Sequence, residues 1–301
     1  MNVQARLSFV VTDVRRKERI DQELKRLHLE QFIPPLPADH HSKFFMQYEI
    51  RVDYNPESMN EILDRLDAVR EEYHGENPEF SFEFVFSDSE YNDSPLYHVH
   101  SIGNNPALYK YNILKYRSEV LCDTCGISKK IQREPIVMNT AIFKKHPLII
   151  ADRFWVISEP LAKRFQENDL TGFGLKEVQH KGKEGTAQRA YQVIPLHILP
   201  KQTIPLHFSH DPYVLKQKCP KCNLGGHLSF PPHYDETVRK CLKDFNLTEE
   251  YYTSGKTAFR RMLISSKVKS ILKDCGIVKN EMRNARYWGE DDWVFVPVIV
   301  N

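Results

Sequence analysis

The chain contains no long apolar run. In 301 residues no stretch approaches the roughly 20 consecutive apolar residues of a membrane-spanning helix, so a membrane protein is not expected. The N-terminus, MNVQARLSFVVTDVRRKER, turns charged after five consecutive core-type residues, too short for a secretory leader, and a cytoplasmic chain is expected. Gly-x-Ser-x-Gly, His-Glu-x-x-His and the Rossmann glycine pattern are all missing, which removes familiar signatures of hydrolase, zinc-protease and dinucleotide chemistry. "SGKT" at residues 254–257 ends like a phosphate-binding loop, but Glu250 stands where that loop needs its first glycine. Without it the backbone amides cannot wrap a phosphate. No catalytic constellation emerges, and a non-enzymatic protein is expected. Cysteine is sparse too: the chain has six, four of them in two pairs at x-x spacing, which points to metal rather than a disulfide framework.

What is present is the composition of an ordinary globular protein, 41% hydrophobic and 27% charged, at a length that suggests two domains. The formal net charge of +2 hides an asymmetry. Residues 1–115 hold 13 Lys+Arg against 20 Asp+Glu, net −7, leaving 29 against 20, net +9, for residues 116–301. Between Glu71 and Tyr109 there are eight acidic residues and no Lys or Arg. Such fields bear on partners more than on fold, or simply let two domains partly neutralise each other.

Residues 1–115 read as a small acidic α+β domain, a mostly antiparallel sheet covered by two helices. Residues 6–12 form a strand-type run, and Ile20, Leu24 and Leu27 recur at helical spacing. Residues 44–54 read as a second strand, followed by Asn55-Pro56 as a helix start and by the stripe Ile62, Leu66, Val69, Tyr73, with Gly75 as a stop. In PEFSFEFVF, Phe80, Phe82, Phe84 and Phe86 alternate with Ser81, Glu83 and Val85, the period of a half-buried strand. His98 and His100 share one face of a further strand and are read as structural.

Residues 116–301 carry the cysteine pairs. "CDTCG" holds Cys122 and Cys125, and "CPKCN" holds Cys219 and Cys222. The tight turn of a Cys-x-x-Cys lets two thiolates reach one ion, and the residue after the second cysteine needs a left-handed backbone, which glycine adopts freely and asparagine tolerates. Gly126 and Asn223 stand there. Two such knuckles supply the four thiolates of a closed structural zinc site, with His227 or His233 as an alternative fourth ligand. Cys241 and Cys275 read as free buried thiols, Cys275 on the inner face of a helix.

The 93 residues between Cys125 and Cys219 make sense if the region is an internal duplication. "FWVISEPLAKRFQENDL" from Phe154 and "RMLISSKVKSILKDCGI" from Arg261 align without a gap at an offset of 107. Each is an apolar strand, a serine suited to cap a helix, and an amphipathic helix. Each is preceded by a knuckle and followed by an apolar-Pro-apolar strand, "VIPL" or "FVPV". The unit reads as knuckle, strand, helix, strand, written twice, over about 116–200 and 213–301.

This order of features resembles the double-CxxCG-motif proteins, which belong among the immunity proteins of bacterial polymorphic toxin and contact-dependent inhibition systems. The resemblance rests on Cys-x-x-Cys-Gly, the "VIS" strand with its helix, the Leu-Thr-Gly-Phe at residues 170–173, and the second Cys-x-x-Cys. It runs from about Cys122 to Val300 and is closest in "WVISEPLAKRFQENDLTGFG". It does not cover the first 115 residues, and the second knuckle departs from it in reading CPKCN.

The resemblance implies a binder that neutralises a cognate toxin protein and carries zinc as a structural element. The toxin-facing surface expected from charge is the acidic N-terminal domain, with Glu71, Glu72, Glu76 and Glu79 as steering carboxylates and Tyr91 and Tyr97 as anchors. The competing reading is a zinc-ribbon-like nucleic-acid-binding protein, favoured by the basic C-terminal part. A zinc tetrathiolate lowers that +9 to +7, and no basic run there exceeds two residues.

Overall fold

The structure, a computed structural model, describes residues 2–11, 17–26, 28, 46–53, 61–62, 64–65, 79–99, 116–151, 154–203, 218–226, 231–278 and 294–300. It is mixed α+β and mostly β. The chain divides into two compact units, one holding the described residues up to Asp88 and the other those from Ser89 onward. Among the described residues no helix is long and apolar enough to cross a membrane.

In the first unit β1 (Asn2–Val11) lies between β2 (Met46–Asp53) and β3 (Glu79–Val85), antiparallel to both. The register sets Leu7 opposite Ile50 on one side and Phe80 on the other. Alternation along β2 buries Tyr48, Ile50 and Val52. Helix α1 (Lys17–Arg26) buries Leu24, and the Tyr48 hydroxyl donates to the Asp21 carboxylate at 3.1 Å. Burial first, then the charge of Asp21, pushes the Tyr48 phenol far up from its ordinary range. The expected strands and first helix are therefore present. Residues 61, 62, 64 and 65 are helical, while Asn55-Pro56 and Gly75 lie outside the described residues.

The second unit contains two four-stranded antiparallel sheets of the same design. One has the order β10 (Phe173–Glu177), β12 (Ala190–Pro195), β9 (Phe154–Ser158), β8 (Leu148–Ala151). The other has the order β18 (Phe295–Pro297), β4 (Leu96–Val99), β17 (Met262–Ser265), β14 (Phe245–Leu247). Pairing agrees residue by residue: Leu148 faces Ile157 as Phe245 faces Ile264, and Tyr191 faces Ile157 as Tyr97 faces Ile264. Glu177 faces Tyr191 as Pro297 faces Tyr97. Each sheet carries a short parallel satellite pair, β7 (Val137–Met138) with β11 (Gln179–His180) and β13 (His233–Tyr234) with β19 (Ile299–Val300). The two cores match as well. Met138, Val156, Val178 and Ala190 are buried together in one, and Tyr234, Leu263, Val298 and Leu96 in the other.

The helices behind these sheets obey one local code. Ser158 caps α3 (Glu159–Glu167) by accepting from Leu161 N–H, and Ser265 caps α4 (Ser266–Asp274) by accepting from Val268 N–H. Past the C-termini, Asp169 (φ 49) and Gly276 (φ 64) enter the left-handed region, and Leu170 N–H and Ile277 N–H close back on the carbonyls of Phe165 and Leu272. The stripes Leu161/Ala162/Phe165 and Val268/Ile271/Leu272 are buried. Helix α2 (Asp88–Asp93) precedes β4 and buries Tyr91.

Two expectations are corrected here. The boundary does not fall at 115, because β4 hydrogen-bonds to β17 and β18 and so belongs to the second unit. The expected second repeat, about 213–301, also does not supply a whole sheet by itself, since the sheet of β14, β17 and β18 includes β4. The "VIPL" strand β12 pairs with β9, whereas the "FVPV" strand β18 pairs with β4 and not with β17. The place that β12 fills in the first sheet is filled in the second by β4, which precedes both halves in the chain.

A joint ties the two sheets together, and the Leu-Thr-Gly-Phe motif forms it. Thr171 donates its N–H and its hydroxyl to one oxygen of Asp244, at 2.8 and 2.9 Å, and the Ser265 hydroxyl donates to the other at 2.7 Å. Gly172 has φ +82, and a Cβ there would lie 2.3 Å from the Phe245 carbonyl oxygen, so only glycine permits this approach. Phe245 then packs against Trp155, Phe165 and Phe173, with ring centroids 6.0, 5.6 and 4.8 Å away.

Candidate metal centre

A third sheet holds the cysteines, with the order β15 (Tyr252–Ser254), β16 (Thr257–Phe259), β6 (Ile127–Gln132), β5 (Tyr116–Cys122). Residues 254–257 form the hairpin turn between β15 and β16, so "SGKT" is a turn. The first knuckle is the turn from β5 to β6, whose regular pairing breaks between Val120 and Cys122. Gly126 N–H donates to the Cys122 carbonyl at 2.9 Å, and Asn223 N–H to that of Cys219 at 2.8 Å. Gly126 (φ 70) and Asn223 (φ 55) both sit in the left-handed region, as the spacing predicts. A Cβ on Gly126 would meet nothing within 4 Å, and asparagine tolerates the same left-handed backbone in the second knuckle.

The two knuckles meet. The four Sγ atoms of Cys122, Cys125, Cys219 and Cys222 lie within 4.8 Å of one another. Cys122 and Cys219 are 3.9 Å apart, and Cys125 and Cys222 3.7 Å. A tetrahedron with Zn–S bonds of about 2.3 Å has edges of about 3.8 Å. Those two separations match that edge and are far too long for S–S bonds, and all four thiols are free. Cys122 and Cys219 are buried, while Cys125 and Cys222 are half-buried.

The thiols are unequal. Backbone N–H groups of Cys125 and Thr124 hold Cys122 down to about 6, and those of Cys222 and Lys221 lower Cys219. Burial, with the neighbouring sulfurs, pushes Cys222 up to about 12. Four thiolates so close together repel, and a divalent cation removes that repulsion. Four sulfur ligands on one ion would leave no open position, the arrangement found in structural rather than catalytic zinc sites.

Other expected site residues fall elsewhere. His233 lies in β13 opposite Ile299 and is not in the cluster, while His100 and His227 lie outside the described residues. Half-buried His98 faces Leu263 and Val296 in β4. Cys241 and Cys275 are free but half-buried rather than buried, and Cys275 is the C-terminal cap residue of α4.

The reading of Tyr91 and Tyr97 as surface anchors is overturned. Tyr91 is 8% exposed and Tyr97 1%, and the Tyr97 hydroxyl donates to the Tyr91 carbonyl at 2.5 Å. Their rings, with that of Phe295, surround the ammonium of Lys269 at 3.7, 4.1 and 5.6 Å. This is a cation–π cage that fastens β4 and α2 to α4. Sequence reasoning missed it, since Lys269 stands where the first half has buried Ala162 and only that comparison could have flagged it. Glu79 opens β3 opposite Ser8, and Glu71, Glu72 and Glu76 lie outside the described residues.

The fold and site thus define a mixed α+β protein with a four-cysteine cluster suited to a metal ion such as zinc. In comparisons with known proteins, no family model, no curated protein and no solved structure matches the chain.

Proposed function

We propose that the protein is a bacterial immunity protein that binds and neutralises a cognate toxin without chemistry of its own, with one structural zinc held by Cys122, Cys125, Cys219 and Cys222. The observation that carries this reading is the convergence of two knuckles, distant in sequence, on one cluster of four sulfurs. A closed tetrathiolate cross-links the chain and offers no site to a substrate. The resemblance of "WVISEPLAKRFQENDLTGFG" and the knuckles to the double-CxxCG immunity proteins supplies the biological role. Matching sheet registers support an internal duplication as the origin of the module.

The acidic N-terminal segment remains the proposed toxin-facing surface, now through Glu71, Glu72, Glu76 and Glu79 without the two tyrosines. Like-signed carboxylates there would speed capture of a basic effector. The test is co-purification from the native host, with the bound protein identified by mass spectrometry and then used in a growth-protection assay. Recovery of a toxin, with protection weakened by reversing the four glutamates to lysine, is the expected outcome. Retention of full protection would move the contact surface to residues 116–301. The net +9 of those residues favours one competing reading, nucleic-acid binding, and salt-sensitive retention on nucleic acid with no toxin recovered would replace the proposal.

A further inference from the structure

Among the described residues strand β5 is an edge of the third sheet, and its two charges, Arg117 and Glu119, are of opposite sign and so do not repel a second copy of the same strand. Proteins that stay monomeric shorten, bend or charge their edge strands, because exposed N–H and C=O groups recruit another strand. β5 is seven residues long, and its irregularity comes only after Val120, leaving residues 116–120 as a regular run. Tyr116 is 40% exposed and Val120 55%, two of the exposed large apolar side chains of the described residues. Alternation puts Tyr116, Ser118 and Val120 on one face and Arg117 and Glu119 on the other.

The run is self-complementary about its centre. We infer that β5 pairs antiparallel with β5 of a second copy of this chain, across a two-fold axis at Ser118. The two four-stranded sheets then join into one continuous sheet. In this register Tyr116 faces the partner's Val120 and Arg117 faces the partner's Glu119, and the symmetry makes each pair twice. Apolar meets apolar on one face, and opposite charges meet on the other. An axis at Arg117 or at Glu119 would instead set like charges directly opposite each other, so among the three central residues of the regular run charge selects Ser118. Glu119 already turns toward Lys129 on its own sheet at 2.6 Å, and the partner's Arg117 completes a three-charge row. A seam one strand wide is smaller than an obligate interface, so the association is concentration-dependent.

Sedimentation velocity on the full chain tests this across a range of micromolar concentrations. The mass should rise from 35.4 kDa toward twice that value. Arg117→Glu and Glu119→Arg should each weaken association roughly tenfold or more, because each reversed pair occurs twice. Mixing the two variants makes every facing pair oppositely charged again and should restore the dimer. Ser118→Cys should cross-link copy to copy under mild oxidation where the wild-type chain does not, since facing residues of an antiparallel pair lie within disulfide reach. A wild-type chain that stays at 35.4 kDa overturns the inference, as does a dimer indifferent to both reversals or a mixture that does not reassociate.

Discussion

The two sheets of the second unit share a strand order and a pairing register, yet the chain completes them differently. The first is local, with β8, β9, β10 and β12 following one another within residues 148–195. The second waits for β4, whose partners β17 and β18 come from the last quarter of the described chain. The same architecture is thus reached once by neighbouring segments and once by closing nearly the whole unit on itself. Closure over so long a loop carries an entropic penalty that the local sheet does not incur. The extra fastening of β4 fits that penalty: Leu96 stands where the first sheet has Ala190, Tyr97 is fully buried where Tyr191 is half-buried, and the Lys269 cage has no counterpart.

The difference can be broken most sharply at the matched tyrosines. Tyr97→Ala removes a buried ring and one wall of the cage and should cost about 3–5 kcal/mol, whereas Tyr191→Ala should cost about a third of that or less. Denaturant midpoints of the two variants decide it. Equal losses would mean that the two positions are energetically equivalent despite their burial.

A smaller contrast separates two glycines with left-handed backbones. Gly172→Ala drives a Cβ to 2.3 Å from a backbone oxygen and 2.6 Å from the Lys243 Cβ, while Gly126→Ala meets open space. The second should cost about 1–2 kcal/mol for the backbone alone, and the first clearly more. Thermal unfolding of both, with zinc content measured for Gly126→Ala, separates joint from knuckle.

The smallest expected effect lies at the helix caps. Ser158→Ala should cost about 1 kcal/mol. Ser265→Ala should cost about 1 kcal/mol more, because its hydroxyl also donates to Asp244, the residue that ties Thr171 into the joint. Paired denaturation curves test the ranking, and the reverse order would show that Asp244 is satisfied without Ser265.

Much of this was legible in the sequence wherever the cause is local. The serine caps, the amphipathic helices, the strand Glu79–Val85 and the left-handed residues after Cys125 and Cys222 depend on neighbours within a few residues, and the structure has them. The meeting of the knuckles followed from valence, since two thiolates leave a zinc ion half coordinated. What was hidden depends on distant pairing. "LYHV" at residues 96–99 is too short to announce its sheet, and "VIPL" and "FVPV" look alike although one strand is central and the other an edge. Tyrosines among carboxylates suggested a surface; their burial is set by Lys269 and Phe295, far downstream.

The central claim is that two separate knuckles share one ion, and metal analysis of three proteins tests it most directly. Purified wild-type chain should contain about one zinc, and Cys122→Ser and Cys219→Ser should each lose it to the same extent, with lower thermal stability in both. Metal-free wild-type protein, or retention of half the metal in either variant, would contradict it.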